Sequence, residues 1–155
     1  MRAFFMPLFL RLKGQMEKIK LRTKYVKLLA DTVTPVSIYL KVRDKFENPI
    51  LLESSDYHGG ENSFSYICCE PTATLEIKAG KSKIELPGQP IVTDDVVGEE
   101  AIAVLEAFKS SFEIEEDEFK FINNGLFGYI GYDSVKYFES IPVDHDDSYG
   151  IPDML

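Results

Sequence analysis

A chain of 155 residues with 17 Lys and Arg against 26 Asp and Glu carries a formal net charge of −9, which argues against nucleic-acid binding through a phosphate-neutralising surface. Its 45% apolar content, with 11 Phe and 8 Tyr, supplies material for a packed core and suits one domain or a piece of a larger one. The two cysteines, Cys68 and Cys69, are adjacent and cannot form a disulfide framework, and no apolar run approaches the roughly 18 residues of a membrane span, so the composition predicts a soluble, cytoplasmic protein with no nucleic-acid and no membrane partner.

The charge is unevenly spread. Arg2, Arg11, Lys13, Lys18, Lys20, Arg22, Lys24 and Lys27 against Glu17 give the first 27 residues a net +7, and the remainder carries −16. Lys18, Lys20, Arg22 and Lys24 alternate with apolar residues at a period of two, the outward face of a half-buried strand rather than a binding arm. Residues 1–15 are expected to be a disordered or artefactual extension. Arg2 and the apolar Ala3–Leu10 resemble a secretory leader, but Pro7 interrupts them, Arg11 and Lys13 follow, and no small-x-small cleavage site appears. Met16 offers a second start, so the domain is expected to span 16–155.

Ile19, Leu21, Thr23 and Tyr25 share one face of the first predicted strand. Thr34-Pro35 predicts a helix start, with Thr34 as cap and Pro35 at the first helical position, and Val36, Tyr39, Leu40 and Arg43 continue it as a largely apolar face. Ile50–Leu52 predicts a short buried strand, and Asp56–Asn62, with Gly59-Gly60, a turn. Phe64–Cys69, Thr72–Ala79 and Lys83–Leu86 predict successive strands, the last two joined around Gly80.

After the Leu86–Pro90 loop a helix is predicted from about Glu99 to Lys109, on the recurrence of Ile102, Leu105 and Phe108. Gly125–Gly131 predicts a strand, Tyr132–Glu139 a short helix and Asp144–Tyr149 a polar loop, and Pro152 discourages a further helix. The fold class implied is α+β with mainly antiparallel sheet and packed helices.

Little in the residues points to catalysis. His58 and His145 lie far apart, Cys68-Cys69 is not a CxxC pair, and Asp144, Asp146 and Asp147 lack the alternation, central Gly and closing Glu of an EF-hand loop. There is no G-x-S-x-G elbow. Gly125, Gly128 and Gly131 do not form a dinucleotide fingerprint and are expected to mark close backbone packing or a bulge. Leu51-Leu52-Glu53-Ser54-Ser55 differs: an apolar strand ends in a carboxylate and two hydroxyls, a set that can hold the ammonium and carboxylate of a small amino acid beside apolar walls. Taken alone, it reads better as the polar end of a strand entering a turn.

Several blocks, in order, carry a family resemblance. They are Thr34-Pro35-Val36-Ser37-Ile38-Tyr39-Leu40-Lys41, Leu51-Leu52-Glu53-Ser54, Phe64-Ser65-Tyr66-Ile67 with Pro71, Gly125–Asp133, Lys136-Tyr137-Phe138-Glu139 and Ile151-Pro152-Asp153-Met154. Together they resemble the N-terminal region of anthranilate synthase component I over about residues 19–155. The resemblance implies a parent enzyme, a chorismate-using lyase of tryptophan biosynthesis, that converts chorismate to anthranilate and pyruvate with ammonia from a glutamine amidotransferase subunit. It implies L-tryptophan as feedback inhibitor at Leu52, Glu53 and Ser54, with Ser65 a weaker candidate. The chorismate and Mg2+ residues would lie beyond Leu155, so this chain is expected to be inactive alone, with no catalytic residue, metal or cofactor of its own. The fold implied is part of a layered α/β/β/α arrangement completed by a C-terminal chorismate-binding part. The family commonly has Gly where Cys68 stands. Two other readings are the matching region of aminodeoxychorismate synthase in the folate pathway and an interaction module that binds no small molecule.

Overall fold

The computed structural model describes residues 17–53, 64–115, 124–141 and 149–155. The predicted turn at Asp56–Asn62, the acidic Asp144–Asp147, His58, His145, Ser54 and the 1–15 extension lie outside them. The chain divides into two units: Met1–Arg22 with Thr72–Glu116 and Gly128–Leu155, and Thr23–Pro71 with Asp117–Phe127.

The first unit is built on a meander. Strands β4 (Thr74–Lys78), β5 (Lys81–Glu85) and β6 (Val92–Asp95) pair antiparallel in that order. Ala79 and Gly80 both take positive φ, 49° and 73°, the two-residue hairpin geometry whose twist matches the flanking strands. The register Leu75↔Ile84 and Ile77↔Ser82 places these four residues on one face, and all four are buried. Helix α2 (Glu100–Ser110) supplies the opposing apolar surface from Ala101, Val104, Ala107 and Phe108. The sequence pattern favours Ile102 and Leu105 as this face, but both are only half-buried. Two alanines let the helix approach closely, and a pattern weighted by large residues misses that face.

The meander continues beyond its three named strands. Met154 and Ile77 exchange backbone hydrogen bonds of 2.9 and 3.1 Å, and Tyr129 and Leu155 exchange a further pair of 2.8 and 3.1 Å. Asp153–Leu155 is therefore a short strand lying between β4 and Tyr129–Gly131. The predicted strand at Gly125–Gly131 reduces to this one bridge at Ile130. The predicted helix at Tyr132–Glu139 is a 3-10 helix, Tyr132–Tyr137.

Strand β1 (Ile19–Leu21) pairs with β7 (Phe112–Ile114), and the pairing is parallel, an exception to the antiparallel expectation. The register ends at Leu21↔Ile114, and the predicted continuation through Thr23 and Tyr25 is not strand. Tyr25, Val26, Leu28 and Leu29 stand well exposed. Neither β6 nor β7 is visible in the apolar pattern.

In the second unit, helix α1 (Pro35–Val42) opens on a capping box. The Thr34 hydroxyl accepts from the Ser37 amide at 3.1 Å and the Ser37 hydroxyl accepts from the Thr34 amide at 3.1 Å, satisfying amide donors that the first helical turn leaves free. The helix packs on the antiparallel pair β2 (Ile50–Glu53) and β3 (Ser65–Cys68). No described residue of this unit is buried; among the described residues, every core side chain belongs to the first. The observed class is α+β.

Candidate functional site

The residues singled out for an amino-acid ligand lie at the polar end of the β2–β3 pair. Glu53 is directly opposite Ser65, and Leu52 opposite Tyr66. Directly opposed residues share a face and successive residues alternate, so Glu53 and Ser65 stand together on the face of Leu51 and Ile67. Leu52 projects from the other face with Tyr66. The structure therefore joins two of the predicted site residues, a carboxylate and a hydroxyl, and turns the third away. Ser54, the fourth, lies outside the described residues.

Leu52, Glu53 and Ser65 are exposed. The opposite face carries an aromatic contact in which the Tyr66 and Phe127 rings lie 5.5 Å apart at 43°. Chemically, the Glu53–Ser65 corner offers an anionic acceptor and a hydroxyl that both donates and accepts, a pairing suited to an ammonium group. Cys68 and Cys69 are both half-buried free thiols. Burial, with Cys69 beside it, pushes the Cys68 thiol up, which lowers its thiolate fraction and its reactivity.

A second polar cluster, in the first unit, escapes sequence reasoning. Asp153 is nearly buried, at 9% exposed. Its carboxylate accepts from Lys136 Nζ at 2.7 Å and from the Tyr137 hydroxyl at 2.9 Å. Its carbonyl accepts from the Ser134 hydroxyl at 2.5 Å and the Gly131 amide at 2.8 Å. Every Asp153 oxygen is thus occupied from one short stretch, Gly131–Tyr137. The Lys136 ammonium also sits 5.2 Å from the centre of the Tyr137 ring. With its acceptors filled and its charge matched, the cluster fixes the Asp153–Leu155 strand in the sheet and leaves no group poised for proton transfer. The sequence signal that could have found it is the polar Asp153 set between Pro152 and Met154 in a segment otherwise built to be buried.

Burial, reinforced by the hydrogen bond to Asp153, pushes the Tyr137 phenol up to about 12. The folded state holds this proton more tightly than the unfolded chain, where the phenol titrates near its ordinary value of about 10. Its contribution to stability is therefore complete below about pH 10 and is lost as the pH rises through about 12. The gap in urea midpoint between the wild type and Tyr137→Phe is expected to shrink across that interval. A gap independent of pH would show that the phenol stays neutral throughout or is exposed.

Among the described residues, no group of three or more His, Cys, Asp or Glu side chains could hold a metal ion, and no helix is long and apolar enough to cross a membrane.

Comparison with known proteins gives one consistent answer. The chain is similar to "Anthranilate synthase component 1" of Pseudomonas putida, 36% identical over 132 residues, covering 82% of this chain and 26% of that protein. The protein of the same name from Thermus thermophilus is 33% identical over 127 residues, again covering 82% of this chain and 26% of the relative. That of Lactococcus lactis is 30% identical over 133 residues, 84% of this chain and 27% of the relative. The chain thus spans about a quarter of the length of the curated relatives it matches. No protein-family model matches it, and no solved structure matches significantly. The ordered motif blocks and the similarity along four-fifths of the chain agree, and the chain is recognised as a relative of the N-terminal region of anthranilate synthase component 1.

Proposed function

We propose that the chain is the tryptophan-binding, regulatory N-terminal part of an anthranilate synthase component 1 and serves tryptophan biosynthesis. The observation that carries this reading is the Leu-Leu-Glu-Ser block, whose Leu51, Leu52 and Glu53 lie on β2 with Glu53 opposite Ser65, in a chain similar to that protein along four-fifths of the chain's own length. In this reading the parent enzyme works in the cytoplasm and turns chorismate and ammonia into anthranilate and pyruvate. Its remaining three quarters supply the chorismate and Mg2+ residues and complete the layered α/β/β/α fold, and a glutamine amidotransferase subunit, component II, supplies the ammonia. The chain alone makes no anthranilate.

L-Tryptophan then sits at the polar end of β2. Its ammonium faces the Glu53 carboxylate, Ser54 and Ser65 are its further candidate contacts, and its indole uses apolar walls. The absence of any buried described residue in this unit fits a ligand site that shares its walls with other parts of the parent.

Calorimetric titration with L-tryptophan, with phenylalanine as the control ligand, tests the reading. Saturable tryptophan-selective heat is expected. Glu53→Gln and Ser54→Ala are each expected to weaken binding about tenfold or more, the scale of a lost charge-assisted hydrogen bond. Heat unchanged by both variants would remove the site from β2, and no heat from a folded chain would place the regulatory role with the parent alone.

A further inference from the structure

We propose that Cys68 and Cys69 form a dithiol that peroxide oxidises, and that closing it to a disulfide opens the end of the β2–β3 ladder. Cys68 is the last residue of β3 and pairs with Ile50, the first of β2. Cys69 lies just outside the ladder, and both are half-buried free thiols. Past this rung the Glu70 amide donates to the Glu47 carbonyl at 3.1 Å. Asn48 and Glu70 take positive φ there, 47° and 51°. Asparagine tolerates that conformation, but glutamate rarely adopts it, and such residues persist only where their surroundings hold them. The backbone next to the thiols is thus held in a shape it would readily leave.

The two thiols take different parts. Burial, with Cys69 beside it, disfavours a thiolate on Cys68, and the thiolate is the nucleophile. Cys69, outside the ladder, therefore attacks the peroxide. Its sulfur takes one oxygen as the O–O bond breaks, giving a sulfenic acid and one water. The Cys68 sulfur then attacks the Cys69 sulfur. The S–S bond forms, the S–O bond breaks, and a second water leaves with the Cys68 proton. In sum, two thiols lose two hydrogens and the peroxide becomes two waters. A residue in a ladder and its neighbour point to opposite faces, so the sulfurs meet only when Cys68 turns out of the ladder. That releases the terminal Ile50↔Cys68 rung and spares the middle of the pair, and ladder ends open most easily. Adjacent α-carbons are about 3.8 Å apart, closer than the roughly 4.4 Å minimum usual for a disulfide. Such a bond is readily reduced, which makes the change reversible.

The inference does not rest on tryptophan binding, so a failed tryptophan titration leaves it standing. Its test treats the reduced full chain with hydrogen peroxide and follows the tryptic peptide Phe46–Lys78, which holds both cysteines, by mass spectrometry. A loss of about two mass units is expected, for the two hydrogens removed, in a chain that stays monomeric and regains its mass with glutathione. Amide hydrogen exchange at Glu70 is expected to quicken tenfold or more on oxidation. The Ile77 amide, bonded to Met154 at 2.9 Å, serves as the unchanged reference. Cys68→Ser is expected to stop at a Cys69 sulfenic acid that dimedone captures, and Cys69→Ser to slow the reaction with peroxide at least tenfold. Four results would overturn the proposal. They are disulfide-linked dimers, oxidation of the wild type that ends at a sulfenic or sulfinic acid, a disulfide that leaves Glu70 exchange unchanged, and no reaction at peroxide levels that oxidise free cysteine.

Discussion

Gly128→Ala is expected to lower the stability of the first unit by roughly 3 kcal/mol, read as a fall in the urea or thermal midpoint. A β-carbon at this position would overlap the Leu155 carbonyl. Neither backbone can easily move away, because Tyr129 and Leu155 are tied by two hydrogen bonds of 2.8 and 3.1 Å. Relief therefore requires releasing Asp153–Leu155 from the sheet, which would uncover Met154 and Ile77, 3% and 0% exposed. A loss of this size is a large share of the stability of any single domain. Gly131→Ala is the internal comparison. Its nearest neighbour, the Asp153 carbonyl, would lie 3.3 Å away, so a small adjustment suffices and the expected loss is below about 1 kcal/mol. Equal effects from the two substitutions would mean that the Gly128–Leu155 approach is not what fixes this part of the sheet.

The second large effect is expected from Asp153→Ala, at roughly 2–4 kcal/mol. The substitution strands two donors in unequal surroundings. The Lys136 side chain is 33% exposed and can turn to water, so its share is modest. The Tyr137 hydroxyl belongs to a residue only 4% exposed, and an unpaired buried hydroxyl carries the full cost of its lost hydration. Adding Tyr137→Phe to Asp153→Ala is therefore expected to cost less than the sum of the single changes, since phenylalanine has no hydroxyl to strand. Strict additivity in the double variant would show that the two residues act independently, despite the 2.9 Å hydrogen bond between them.

The features legible in the sequence are those decided within a few residues. Thr34-Pro35 announces the helix start because the cap and its partner Ser37 are three residues apart. Gly80 announces the hairpin because a turn of that type needs positive φ. The glycines at 128 and 131 mark close backbone packing, as expected of an aromatic segment in which side chains would otherwise intervene. What escaped depends on distant partners. β6 is half acidic and becomes a strand only because β5 offers it a ladder. β7 is three residues long and pairs with β1, almost a hundred positions earlier. The first strand was expected to be longer because alternation continues through Tyr25, but alternation cannot show where the neighbouring strand stops.

At the candidate site, Glu53 and Ser65 come from different segments and meet as cross-strand partners. Their divergence from Leu52 was implicit in the strand itself, since adjacent residues face opposite ways. The Asp153 cluster was hidden for another reason. Its members are separated by a stretch without periodicity, and a lone aspartate has no pattern that distinguishes a buried acceptor from a surface charge.

The place of Asp153–Leu155 in the sheet has a consequence for how the chain acquires its structure during synthesis. The hairpins of β4, β5 and β6 join neighbouring segments and can form early, within microseconds of becoming available. Tyr129–Gly131 cannot join them directly, because the strand that connects the two is made more than twenty residues later. Until the ribosome has released residue 155, the side of β4 at Ile77 has no neighbour and the 3-10 helix has no Asp153 to hold. Closure of the sheet is thus a late, long-range event, of the kind that slows folding and leaves unpaired strand exposed to other chains in the interval.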